Sequence, residues 1–258
     1  MTIMSLLVAL FVGISAGYLG SIMVLEKMAL VGDALSHVAL PGLAIGILFN
    51  FDPYIGAFAF LFASAVIIWH VQRVTRISFE ALVGTAFTLA LAIGILIFPD
   101  LELLEEALFG NIALITPIDA VAAAVISVAT ILLTRAIYKK LVLAMISEDL
   151  AVSKGINVAK TNLLYLFLVS LVVAIGIKIT GTLLVGFLVI VPAIAAKNLS
   201  SDMSRYSLLS AVFGAIGAFS GILLANYFSL SPGPMVVFSG IAIFVITIIV
   251  NWRMKITT

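Results

Sequence analysis

The sequence has no cysteine, only two histidines, and little charge: 10% of its 258 residues are Asp, Glu, Lys or Arg. Without cysteine there is no disulfide framework, no thiolate metal site and no sulfur nucleophile. Metal chemistry is then left to His, carboxylates and carbonyls, which suit harder cations. A net charge of +1 provides no basic stripe for nucleic acid, and no alternating-charge run marks a solvated coiled coil. The phosphate-cradling pattern Gly-x-x-x-x-Gly-Lys-Ser/Thr is also missing, so any ATP used is bound by another polypeptide.

Apolar residues fill the space: 64% of the chain is hydrophobic and the mean hydropathy is +1.35. Such a chain cannot present a water-compatible surface as a soluble globule, and it reads as an all-α integral membrane protein. Apolar stretches of about 17–25 residues, long enough to span a bilayer, recur near 3–25, 28–49, 53–72, 80–98, 117–135, 161–178, 180–197, 206–228 and 233–252. That predicts about nine transmembrane helices. No Lys or Arg precedes the first stretch, so it reads as a retained span rather than a signal peptide.

The weakest division lies inside 161–197, where only Lys178 and the turn at 178–181 interrupt the apolar run. Charge decides it. With the N-terminus outside and the C-terminus inside, 12 of the 13 basic residues face the cytoplasm and only Lys178 lies outside. Merging the two spans would export Lys197, Arg205, Arg253 and Lys255. The chain is expected to be one transmembrane domain over residues 1–258. Its small-residue pairs, Gly13 with Gly17, Gly42 with Gly46, Gly214 with Ala218 and Gly217 with Gly221, read as helix packing within one bundle.

Two connections carry more than a turn. The outer one, PDLELLEEALFGN at 99–111, sets Asp100, Glu102, Glu105 and Glu106 against Leu101, Leu104, Leu108 and Phe109 at helical spacing. It predicts a short helix ending near Gly110, either simply solvated or a docking surface for a soluble partner. The inner one, ISEDLAVSKGIN at 146–157, supplies Ser147 as N-cap and Glu148 and Asp149 for the first turn. Lys154 falls in the last turn and Gly155 suits the C-cap. A helix of two turns is marginal alone, so it is expected to pack against a cytoplasmic partner, the membrane surface or the protein's own spans.

The second span holds GDALSHVALPG at 32–42. Asp33 and His37, four residues apart, share one helix face about 6 Å apart along the axis. An ionised Asp there costs on the order of 3 kcal/mol or more, so a partner or a function is expected. A structural hydrogen bond, a proton relay and a divalent-metal site are all compatible with the pair. Pro41 lacks the amide that would bond to the His37 carbonyl, which predicts a freed oxygen or a kink at Pro41 and Gly42. Two ligands are too few for zinc or manganese; a twofold homodimer would bring four.

Other motifs are weaker. GISAG at 13–17 matches a hydrolase pattern but lies in an uncharged span without the strand-turn-helix context. His70 reads as an interfacial side chain, Glu80 as a dipole partner at a helix start after Ser78, and Lys178 as a side chain snorkelling to the headgroups.

The chain resembles the integral membrane permeases of ABC importers for manganese, zinc and iron. The resemblance rests on GDALSHVALPGLAIG at 32–46, ALFGNI at 107–112, SEDLAVSKGINV at 147–158, KITGTLLVGFLVIVPAIAAKNLS at 178–200 and SPGP at 231–234. It implies a multi-pass protein of the prokaryotic cell membrane with the cobalamin-importer-like (type II) ABC permease fold. It also implies a second permease copy, cytoplasmic ABC ATPase subunits that carry the ATP, and an extracytoplasmic metal-binding protein.

By the same resemblance Asp33 and His37 coordinate the transported Mn²⁺, Zn²⁺ or Fe²⁺, with no permanently bound cofactor. Ser147, Glu148, Asp149, Leu150, Lys154 and Gly155 form the ATPase-coupling loop, and the segment around 99–116 becomes a contact for the binding protein. The chain itself is then not an enzyme. Protonation of His37 would compete with the metal, so transport is expected to weaken in acid. The rival reading is a proton-coupled secondary transporter that uses Asp33 and His37 as a relay.

Overall fold

The computed structural model describes residues 3–26, 29–75, 77–111 and 115–257; residues 29–31, 33, 183 and 255–257 are described by their backbone course alone. Eleven helices follow one another: α1 (Ile3–Leu25), α2 (Ala29–Val38), α3 (Leu40–Leu48), α4 (Pro53–Thr75), α5 (Phe79–Ile97) and α6 (Leu101–Phe109). After them come α7 (Pro117–Ile146), α8 (Glu148–Ser153), α9 (Val158–Leu199), α10 (Met203–Phe228) and α11 (Pro232–Thr257). There is no strand among the described residues. Helices satisfy every backbone group internally, as hydrocarbon requires.

Among the described residues, seven helical stretches are long and apolar enough to cross a bilayer: α1, α4, α5, α7, Val158–Thr182 of α9, α10 and α11. The segments expected at 28–49 and 180–197 correspond to shorter apolar helices, Ala34–Leu48 and Leu184–Leu199. The first is divided at Ala39, between α2 and α3. The second follows Gly181, where α9 leaves helical geometry (φ 73°, ψ 172°). The division of the long run thus falls at Gly181, the last residue of the turn expected at 178–181. A continuous helix of 42 residues would run about 63 Å, twice the hydrocarbon thickness.

α1 lies at the centre, packed against α7, α9 and α10. Its contact with α10 is made backbone to backbone: a methyl on Gly13 would overlap the Gly214 carbonyl, and one on Gly17 the Ser210 carbonyl. Gly42 meets Gly56 in the same way, joining α3 to α4, and Gly221 meets Val236, joining α10 to α11. The small-residue pairs therefore serve packing within this bundle. Buried hydroxyls fix register between helices: Ser21 donates to Ser207 at 3.0 Å, and Tyr165 to the Leu19 carbonyl at 3.1 Å. Ser15 of GISAG belongs to this class, 1% exposed, with the Phe11 and Val12 carbonyls and the Ser127 hydroxyl as its partners.

Candidate functional site

α2 carries the pair singled out by sequence and packs against α9, α5 and α4. His37 is buried, 7% exposed, and its ring stands edge-on to Phe87 of α5 with centroids 5.0 Å apart. Asp33 lies one turn earlier in the same helix; its side chain falls outside the described residues. Ser36, fully buried, donates to the carbonyl of Thr182 at 2.7 Å. That contact joins α2 to the first residue after the Gly181 break.

The interruption after His37 is mild. Ala39 keeps right-handed helical angles (φ −71°, ψ −20°), and Pro41 stands in the first turn of α3, where a missing amide costs nothing. The helix is interrupted at Ala39, two residues before Pro41, and Gly42 serves the close approach to Gly56. A buried imidazole can hold a divalent cation through a neutral nitrogen, and a carboxylate one turn away is a fitting second ligand. Among the described residues, no group of three or more His, Asp or Glu side chains gathers at one place.

On the side of α8, Ser147 caps the helix by accepting from the Leu150 amide at 3.2 Å, with Glu148 and Asp149 in the first turn. Lys154 is the C-cap residue and Gly155 follows with φ 75°, its amide bonded to the Val152 carbonyl at 2.9 Å. Ala151 faces inward, while Leu150 and Val152 are exposed. Glu148 pairs with Arg73 of α4 at 3.1 Å, and the Arg73 guanidinium lies 4.5 Å over the Trp69 ring.

Beside this pair is a cavity of about 350 Å³ whose lining includes Glu26, Leu35, Arg73, Glu148 and Tyr165. Burial pushes the Glu26 carboxyl up to about 7. Neither the pair nor the role of Glu26 is legible from spacing, because each depends on helices distant in the chain.

At the opposite end, α6 forms as its pattern predicts. Asp100 caps it, accepting from the Leu103 amide at 2.8 Å, and Gly110 ends it with φ 77°. Leu104, Ala107 and Leu108 pack on the core while Leu101 is exposed, so α6 is seated on the bundle rather than free in solvent. Lys178 does not simply snorkel: it pairs with Asp119 at 2.7 Å and lies 4.8 Å over the Tyr54 ring. It lines a second cavity of about 320 Å³ with Asp52, Tyr54 and Glu106. Ser78 caps α5 by accepting from the Ala81 amide at 3.3 Å, with Glu80 in the first turn; His70 is exposed.

A buried imidazole in an interrupted span, inside a polytopic helical bundle, is the layout of a membrane permease. The chain belongs to the ABC 3 transport family, which matches residues 1–251. It is 31% identical over 245 residues to the manganese transport system membrane protein MntC of Listeria innocua, covering 94% of this chain and 88% of that one. It is 29% identical over 236 residues to the high-affinity zinc uptake system membrane protein ZnuB of Buchnera aphidicola, covering 90% of each. Among solved structures, PsaBC from Streptococcus pneumoniae in complex with Fab superposes with a TM-score of 0.84 at 30% identity, over 94% of this chain and 89% of that one. The protein is therefore a multi-pass bacterial membrane protein of the ABC permease class.

Proposed function

We propose that this chain is the membrane-spanning subunit of an ATP-driven importer that moves a divalent transition metal ion, manganese, zinc or iron, into the cytoplasm. The observation that carries the reading is His37, buried in an interrupted span one turn after Asp33, in a chain of the ABC 3 transport family. Manganese and zinc transport by the relatives MntC and ZnuB supports the choice of cargo. Asp33 and His37 coordinate the ion in transit. Two copies related by a twofold axis supply four ligands, loose enough to release what they bind.

In this reading the chain makes nine membrane crossings, with its N-terminus outside and its C-terminus inside, by the positive-inside rule. The α8 loop, Ser147 to Gly155, receives the ATPase, for which its exposed Leu150 and Val152 offer an apolar contact. α6 receives the metal-binding protein on its acidic outer face. ATP is hydrolysed on the partner subunits.

The test is uptake of Mn²⁺, Zn²⁺ and Fe²⁺ into vesicles holding the complete complex. ATP should drive uptake in wild type, and Asp33→Ala and His37→Ala should each lower it at least about tenfold, since even the outer-shell partners of a metal ligand are worth about 10–100-fold. Full uptake in both variants would sink the site. Uptake by the chain alone under a proton gradient would favour a proton-coupled carrier instead.

A further inference from the structure

Ser36 precedes His37 and is fully buried, and its hydroxyl donates to the Thr182 carbonyl at 2.7 Å. That carbonyl follows Gly181, where α9 turns out of helical geometry. A break inside the membrane frees backbone groups that must find partners in neighbouring elements. The Ser36 hydroxyl ties the ion helix to the residue immediately past that break.

The same break is held from another direction by the end of α6. A methyl on Gly181 would overlap the Leu108 carbonyl, and a methyl on Gly110 would lie 2.7 Å from both the Gly181 nitrogen and the Ile179 carbonyl oxygen. The first turn of α11 closes a third side, since a methyl on Gly233 would sit 3.0 Å from the Thr180 carbonyl oxygen and 3.2 Å from that of Phe109. Backbone packed this closely transmits displacement rather than absorbing it.

We propose that Ser36 is a positioning residue: it ties the ion helix α2 to the Gly181 break on which α6 is seated, so that a partner docking on α6 shifts α2 and His37. The inference rests on the importer reading above. It assigns to Ser36 neither a ligand role nor a merely structural one. Its content is coupling between two sites, which only a coupling measurement can establish.

The experiment measures ATP hydrolysis by the complete complex in vesicles, with and without Mn²⁺-loaded binding protein. Ser36→Ala should keep the unstimulated rate and lose at least about fivefold of the stimulation, the low end of ordinary coupling energies. Gly110→Ala, which disturbs the seat of α6 from the opposite end, should also lose stimulation, and the double variant should be stimulated no less than the weaker single one. Ser21→Ala, which removes a comparable buried hydroxyl bond to Ser207, should keep the stimulation.

Unchanged stimulation in Ser36→Ala, effects of the two variants that multiply, or an equal proportional fall in stimulated and unstimulated rates would each overturn the inference. If Ser36→Ala does not insert, Gly110→Ala decides alone, since it lies in an outer connection, and full stimulation there overturns it. A wild type that the binding protein fails to stimulate overturns the importer reading and this inference together. A stimulated wild type with an equally stimulated Ser36→Ala overturns this inference only.

Discussion

Two apolar helical runs of this protein are interrupted, and they are interrupted differently. At Ala39 the backbone keeps helical angles, and α3 resumes one residue after α2 ends. At Gly181 the chain swings to φ 73° and ψ 172°, and the end of α6 presses into the gap. A proline withdraws a donor and bends a helix without requiring anything of its neighbours. A glycine in the left-handed region opens the helix fully, and the freed groups then depend on other segments. The first kind of break is a local property of sequence; the second is a tertiary one.

Substitutions can set the two against each other. The largest effect is expected for Gly181→Ala, where a side chain at positive φ also meets the Leu108 carbonyl. A loss of about 3–5 kcal/mol is expected, read as failed insertion or a collapsed melting temperature in detergent. A variant that melts with wild type would show that the break tolerates a side chain.

Next is Lys178→Met, three residues ahead of the glycine. It leaves Asp119 with only its Thr116 partners, and should cost about 1–3 kcal/mol. A melting temperature unchanged by salt and by the substitution would remove the ion pair from the account. Pro41→Ala should change stability by no more than about 1 kcal/mol, because α3 already begins in helical geometry. Its effect belongs in uptake, and unchanged uptake would rule out an essential role for the proline.

A pH-dependent effect is expected just ahead of α2, where Glu26 shares its cavity with Arg73, Glu148 and Tyr165. Its carboxyl holds a proton up to about pH 7 in the fold, against an ordinary value of 4.5. Between those values the native state binds more protons than the unfolded one, so stability falls as pH rises through that window. Glu26→Gln should flatten the fall between pH 5 and pH 8. Equal slopes in the two proteins would count against the buried carboxyl.

What was legible in the sequence follows the same division. Helix caps at Ser78, Asp100 and Ser147 are local, and their spacing to the first turn is enough to find them. The position of His37 in an apolar span is also local, and its burial follows. The break in the long run falls within the turn expected at 178–181, but nothing near Gly181 announces that α6 will wedge there. The partners of Lys178, Arg73 and Ser36 were equally hidden: Asp119, Glu148 and the Thr182 carbonyl lie 59, 75 and 146 residues away. Hydropathy reports how much of a helix lipid or protein covers, but not which neighbour supplies a hydrogen bond.

The Gly181 break also bears on how the chain is made. Residues 161–197 form the one apolar run that a translocon can read either as a single overlong segment or as two crossings. α6 leaves the ribosome well before that run, so the backbone that fills the gap already exists when the choice is made. Moving or deleting α6 would leave the opened backbone at Gly181 without that cover.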